Sequence, residues 1–292
     1  MNELQKRALL YGSAVLVLGG FGAGASIWRG DADALTLLSS ADVQLRLAYA
    51  IPAKDKQGAT LSSREEMIRT AEQHLAIVER LQPGMAVTAE FRGFAHMLRG
   101  EYAAAAAEYA QAQACDDCQA EQRDVLVFNQ ARMLAKAGQR QPALAVFQQH
   151  RQSLDARFGH QRVLEEATIL RELGKRQEAE QRLDNVLRDG AAMPMASLQA
   201  GLEYLELGHD DKAEQALQRA KAELPIADYH LARLKLQRGE VDNCMELLGR
   251  AAAARPAEVR QRLSQDAAAW TAVSGDARFQ ELVGSRAAAP VR

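Results

Sequence analysis

Aromatic residues make up only 5% of this 292-residue chain, too few for the ring-rich packing of a β sandwich or barrel. There are three cysteines, Cys115, Cys118 and Cys244, which excludes a disulfide scaffold. Charge of neither sign prevails. The formal net charge is −2, so no global field recruits nucleic acid or an anionic membrane. Catalytic signatures are missing as well. The six histidines, at positions 74, 96, 150, 160, 209 and 230, form no HExxH pair, and no GxSxG nucleophile elbow occurs. Gly174-Lys175 lacks the upstream glycine of a phosphate loop, and the one GxGxxG-like run, "GFGAG", lies inside an apolar span. Carboxylates such as Glu165 and Glu166 fall among arginines, where solvated ion pairs are the ordinary reading. These absences argue against an enzyme, a small-molecule substrate and a bound cofactor.

What the chain does have is the composition of a helical globular protein. It is 48% apolar and 25% charged, too apolar for a disordered chain, and alanine, leucine, glutamine, glutamate and arginine dominate. The length leaves room for one large or two ordinary domains. Charge is spread unevenly. Residues 31–130 carry a net −6 and residues 131–292 a net +2, a balance better suited to protein contacts than to phosphate binding.

From Ala8 to Trp28 the run "ALLYGSAVLVLGGFGAGASIW" contains no charge. As a helix it would be about 32 Å long, enough for a hydrocarbon core of roughly 30 Å. Tyr11 and Trp28 stand near its two ends, where interfacial aromatics collect. Lys6 and Arg7 precede it and Arg29 follows, a bias toward a cytoplasmic N-terminus and an exported remainder. A second reading is a cleavable signal peptide with its cut after Ala25, following Ala23-Gly24-Ala25. Ile27 and Trp28 carry the apolar run past that point, which favours the uncleaved transmembrane anchor. Both readings put the bulk of the chain outside the cytoplasm, in a bacterial periplasm. Gly20 and Gly24 form a GxxxG pair, unremarkable in so glycine-rich a span.

A repeat follows. From Gly100 a walk of five, four and three residues meets Ala105, Tyr109 and Ala112. The same walk gives Ala143, Phe147 and His150 from Gly138, and Ala179, Leu183 and Val186 from Gly174. It gives Ala213, Leu217 and Ala220 from Gly208, and Cys244, Leu248 and Ala251 from Gly239. Spacings near 34 residues mark a solenoid. A small residue lets a neighbouring helix come close, a large one a turn later fills the groove beside the crossing, and the glycine ends the preceding helix. The alanine-rich stretch "EYAAAAAEYAQAQA" is on this reading a packing face. Upstream of each glycine lies another amphipathic segment, so each unit is a helical hairpin.

These units resemble the tetratricopeptide repeat (TPR) family over roughly residues 86–256. The fullest match is "PMASLQAGLEYLELGHDDKAEQALQRAKAELP", with Gly201 and Tyr204 in the first helix, Gly208 at the turn, Ala213, Leu217 and Ala220 in the second, and Pro225 closing. Gly93, Ala131, Ala167 and Ala232 take the small first-helix position elsewhere, and Pro256 closes the last unit. The early tryptophan of the family is absent, and His150 and Val186 replace a small residue. The resemblance implies an all-α, right-handed TPR-type hairpin solenoid, preceded here by the N-terminal membrane helix. Its divisions are a cytoplasmic N-terminus at 1–7, the membrane span at 8–28, and a degenerate hairpin with an inserted loop at 31–85. Five units follow over 86–256, then a closing cap at 257–283 carrying Trp270, Phe279 and Leu282, and a disordered tail at 284–292. A capping box is expected at Ser63 and Glu66.

In this family the first helices line a concave face that holds ligand peptides. Matched residue by residue, that face comprises Phe94 and Met97, then Phe128, Arg132 and Lys136, then Leu164 and Arg171, then Leu198 and Leu202, then Tyr229 and Arg233. Aromatic and arginine side chains together are hot-spot material, though the same residues also suit packing between repeats. The family's carboxylate-clamp pattern is not present. Cys115-Asp116-Asp117-Cys118 is the one motif with classical spacing. It reads as plain loop cysteines, as a local disulfide in an oxidising compartment, or as a metal or redox pair. Two aspartates disfavour the thiolate, and no further ligand pair completes a zinc site. Cys244 sits at a packing position and reads as buried and inert. The chain thus reads as a scaffold in the inner membrane with a periplasmic array. It would hold protein partners for an envelope machine of secretion, polysaccharide export or respiratory-protein maturation. The alternatives are a self-associating structural component or a thiol–disulfide enzyme.

Overall fold

The computed structural model describes residues 32–52, 62–189 and 193–284, and every regular element among them is a helix. The chain divides into two compact units, Met1–Arg162 and Val163–Arg292. The apolar span 8–28 lies outside the described residues, as do the loop at 53–61 and the tail from 285 on. No described helix is long and apolar enough to cross a membrane.

The first unit is built of antiparallel hairpins. Helices α1 (Ala32–Ala50) and α2 (Ser62–Leu81) make the first, α3 (Ala86–Arg99) and α4 (Tyr102–Ala114) the second, α5 (Ala120–Lys136) and α6 (Arg140–Gln149) the third. Each helix buries one stripe at helical spacing. In α1 it is Ala34, Leu38, Ala41, Leu45 and Ala48; in α2 it is Ile68, Ala71, Leu75 and Val78. Alternating small and large residues lets the two helices interlock, and Phe91, Phe94 and Leu98 of α3 continue the same cluster. Arg99 ties α3 back to α2 through paired hydrogen bonds to the Glu72 carboxylate. Ser62 and Ser63 are already helical, so the capping box expected at Ser63 and Glu66 is not formed: Ser63 stands inside the first turn.

The alanine stretch is α4. It buries Ala105, Ala106, Tyr109 and Ala112. A Cβ added at Gly93 of α3 would stand 2.9 Å from the Tyr109 ring, so the large residue of the second helix fills the space that glycine leaves in the first. The turn between them is set by Gly100, at φ 80°. Its N–H and that of Glu101 donate to the carbonyls of Met97 and His96, at 3.0 and 2.9 Å, and so close the helix end. Gly138, Gly174, Gly208 and Gly239 share this conformation, with φ between 76° and 79°.

The third hairpin departs from the pattern. Helix α6 stops at Gln149, and after His150 a separate short helix, α7 (Arg151–Phe158), begins. The other units carry a small residue or valine where His150 stands, and an imidazole there cannot enter the close helix crossing. The chain breaks instead, and Leu154 and Phe158 of α7 turn inward. The ring of Phe158 stacks on Phe128 with centroids 4.2 Å apart, and Phe147 meets Phe128 at a tilt, 5.7 Å away.

Helix α8 (His160–Glu172) carries the division between the units, at Arg162. In the second unit it is followed by α9 (Arg176–Asp189), α10 (Pro194–Leu207), α11 (Asp210–Ala220), α12 (Ile226–Gln237) and α13 (Val241–Ala254). Gly201 of α10 meets Leu217 of α11 as Gly93 meets Tyr109, with an added Cβ at 2.8 Å from the Leu217 Cγ. Helix α14 (Pro256–Gln265), a 3-10 helix (Ala267–Val273) and α15 (Ala277–Gly284) close the unit. Trp270, 1% exposed, is the centrepiece of this end. Its indole N–H donates to the Tyr229 hydroxyl at 3.3 Å, that hydroxyl donates to Asp266 at 2.8 Å, and its ring stacks on Phe279.

Candidate functional site

Of the residues expected on the concave face, the structure buries more than half. Phe94 is 1% exposed, Phe128 3%, Arg132 5%, Leu164 5%, Leu198 7% and Tyr229 0%. Phe94 faces Tyr49 of α1 at 6.1 Å, Phe128 is enclosed by Phe147 and Phe158, and Tyr229 is held under Trp270. The reason is economy of rings. In a chain so poor in aromatics, the hairpins take those they have into their own seams. Met97, Arg171, Leu202 and Arg233 remain half-buried, and Lys136 is exposed at the end of α5, its ammonium 5.5 Å from the Tyr102 ring centre.

The polar residues beside them form bonded sets that the sequence pattern does not announce. In the first unit Gln122 of α5 donates to the Glu90 carboxylate of α3 at 2.8 Å. Burial pushes that carboxyl above its ordinary range, against the lowering effect of the Gln122 bond. In the second unit Glu203 accepts from Thr168 and from Arg171, both at 2.8 Å, which bridges first helices of successive hairpins. Arg233 lies 3.7 Å from Asp266. Each of these pairs joins residues 32 to 35 positions apart on different helical segments, so no motif within one repeat signals them.

Cys115 and Cys118 are free thiols, and the disulfide considered for them is not formed. Each sulfur turns to a nearby carbonyl, Cys115 to Gln111 at 3.4 Å and Cys118 to Gln119 at 3.8 Å. Burial raises both thiol pKa values; Asp117 and Asp116 add to the rise at Cys115, and Arg123 opposes it at Cys118. That is the opposite of what a redox thiol needs. The aspartates have a structural use instead: the Asp117 carboxylate accepts the Ala86 N–H at 3.0 Å and so caps the start of α3. Cys244 is fully buried, and burial pushes its thiol up to about 11. Among the described residues no three histidine, cysteine, aspartate or glutamate side chains gather as a metal site.

Two clefts open in the second unit. One, of about 320 Å³, is lined by Asp184, Arg188, Tyr204, Lys212 and Arg219. Its aspartate is engaged by Tyr204 at 2.6 Å and by Lys212 at 2.8 and 2.9 Å. The other, of about 400 Å³, is mostly apolar and lies at the closing end, between Leu263, Trp270, Phe279 and Val283. In the first cleft the Tyr204 hydroxyl and the Lys212 ammonium are both committed to the Asp184 carboxylate.

Stacked antiparallel hairpins, with left-handed Gly100, Gly138, Gly174, Gly208 and Gly239 at their described turns, define a helical-repeat protein of the tetratricopeptide-repeat fold. Among solved structures the chain is similar to PilW, a widely conserved type IV pilus biogenesis factor. The TM-score is 0.54 at 14% identity over 76% of this chain and 98% of that one. PilF of Pseudomonas aeruginosa is another neighbour, at 0.49 and 13% over 79% of this chain and 100% of that one. A tetratricopeptide repeat protein of Parabacteroides merdae aligns at 0.47 and 16%, over 84% and 98%. At such identities the likeness is one of fold. No protein-family model matches the sequence, and no curated protein matches it.

Proposed function

We propose that this chain is a non-catalytic protein-interaction scaffold. It is held in the bacterial inner membrane by residues 8–28, with its repeats in the periplasm, and it supports assembly of an envelope complex. The observation that carries the reading is the fold itself: stacked hairpins whose buried residues are spent on packing and whose polar side chains bond one another. The charge-free 21-residue span supports the membrane location, and the fold shared with a pilus biogenesis factor is consistent with an envelope role. Partner contact falls to the residues of the first helices that the core leaves accessible. These are Met97 and Lys136 in the first unit, and Arg171, Leu202 and Arg233 in the second.

In-cell photo-crosslinking from Met97 and Leu202 tests this, with the exposed Gln181 of α9 as control. A discrete heterologous product from the first-helix positions and none from Gln181 is expected. Equal products from the control, or homo-oligomers alone, would overturn the docking assignment.

A further inference from the structure

Helix α1 differs from the others in what it turns outward. Eight large apolar residues are exposed among the described residues, and three of them, Leu35, Val43 and Leu47, at 40%, 49% and 39%, stand on this one helix. No other described helix carries more than one. With Ser39, also exposed, they recur at every fourth residue, the spacing of a ridge along a helix. The ridge keeps within a sector of about 120°, on the side away from the buried stripe Ala34, Leu38, Ala41, Leu45 and Ala48. Charge is nearly missing from that sector. Its one ionic side chain is Arg46, whose Nε donates to both oxygens of Asp42, at 2.8 and 2.7 Å. Helix α2 adds to the same end of the hairpin. Arg64 at its start donates to the Ala48 carbonyl near the end of α1, at 3.1 Å. The antiparallel course of α2 therefore returns its last residue, Leu81, 46% exposed, to the place where α1 begins.

We propose that the Leu35–Leu47 ridge lies against the membrane surface, with α1 resting among the lipid headgroups. The assignment rests on the anchor reading of residues 8–28. The charge-free run ends at Trp28, and only Arg29, Gly30 and Asp31 separate it from Ala32. Three residues of chain reach at most about 11 Å, and the headgroup layer outside the hydrocarbon is about 5–8 Å deep. The start of α1 is thus at the headgroups whichever way the helix points. Were α1 upright, Leu47 would be carried about 18 Å further out, and the ridge would face water along its length. Laid flat, the ridge puts its apolar side chains at the depth where interfacial helices bind. The long stem of Arg46 lets its guanidinium stay among the headgroups. Three side chains of this size hold a bilayer only marginally by themselves. They orient a hairpin that is already anchored and do not replace the anchor.

The test uses the full chain with the photoreactive amino acid benzoylphenylalanine in place of Leu35, Val43, Leu47 or, on α2, the exposed Gln73. Each protein is reconstituted into vesicles of phosphatidylethanolamine and phosphatidylglycerol with tritiated acyl chains. The vesicles are floated and irradiated, and the protein band is read for label. Leu35 labels in either orientation, so Leu47 decides. Label from Leu47 and Val43 should exceed that from Gln73 about five-fold, because a side chain sunk into the interface meets acyl chains that one facing water does not. Val43→Asp should lower the label from Leu47 several-fold and leave that from Leu35 in place. Ser39→Asp interrupts the same ridge if the Val43 variant melts early. Label from Leu47 no higher than from Gln73, with Leu35 labelled and the protein afloat, would overturn the proposal and leave the anchor standing. Label from Leu47 indifferent to both aspartate variants would overturn it as well. So would a product of twice the chain's mass from Leu47, free of lipid label, which would give the ridge to a second copy. Protein that fails to float would remove the anchor and the proposal together.

Discussion

At Gly201 an added Cβ would stand 2.8 Å from the Cγ of Leu217 and 3.4 Å from the Ala213 carbonyl, whereas at Gly249 of α13 it would meet nothing within 4 Å. Helix propensity alone favours alanine at both. Since Leu217 is fully buried and cannot swing clear, crowding wins at the first site. Gly201→Ala is therefore expected to cost about 1–3 kcal/mol, and Gly249→Ala to gain about 0.5–1 kcal/mol, both read from urea midpoints. Equal shifts at the two sites would refute the close helix approach. His230 gives the second prediction at this scale. It is 8% exposed. Burial first, then the nearby Arg262 and Arg233, lower its pKa to about 3, with Asp266 opposing. Below the ordinary histidine value near 6.5 the unfolded chain takes up a proton that the folded chain refuses. Stability from this group is thus complete above about pH 6.5 and falls as the pH drops toward 3, by at most about 1.4 kcal/mol per pH unit. His230→Phe should flatten that part of the stability–pH curve. A profile unchanged by the substitution would show the imidazole to be solvated in the folded state.

Among the elements, α7 decides the packing of its hairpin. Phe158 stacks on Phe128, which Phe147 meets at a tilt, and truncating Phe158 removes one ring of this three-ring cluster. Phe158→Ala is expected to destabilise the first unit by about 3–5 kcal/mol, and Phe158→Leu by clearly less, measured by hydrogen exchange of the α5 amides. If the two cost the same, the volume that leucine restores contributes nothing and the aromatic ring itself is what the site requires. The same helix marks where the sequence stops being readable. A turn glycine such as Gly100 is visible in one dimension, because a left-handed backbone is a local property that one residue type supplies. The small–large alternation at Ala105 and Tyr109 is likewise carried within one helix. Helix α7 is different. "RQSLDARF" has only two apolar residues with aliphatic or aromatic bulk, and it forms because a ring on another helix is there to receive Phe158. The docking residues fail to show for the same reason. The pattern places Phe94, Phe128 and Tyr229 on first helices, but their exposure depends on Tyr49, Phe158 and Trp270, which lie 30 to 45 residues away. The pairing of Arg171 with Glu203 depends on a neighbouring repeat in the same way.

For the molecule as a whole, the proposed location depends on one segment, residues 8–28, and on whether it stays attached. As a helix, a run of that length would match a bilayer core to within about 2 Å, and Trp28 would then stand where an interfacial aromatic anchors a span. A signal peptidase prefers a small, polar, extended stretch at its cut, and Ile27 and Trp28 immediately beyond Ala25 oppose that conformation. The retained anchor is therefore the expected outcome. The protein purified from membranes should keep the full 31.9 kDa of the chain and leave the bilayer only with detergent. In spheroplasts, external protease should degrade the repeats. Removal of residues 1–30 should release the protein from the membrane fraction, because residues 8–28 are the segment proposed to hold it there. A mature N-terminus at Ser26 in the soluble periplasmic fraction would replace the anchor with a cleaved signal and keep the export. Repeats protected from protease in spheroplasts but digested after lysis would remove the periplasmic location, and with it the envelope role proposed for the scaffold.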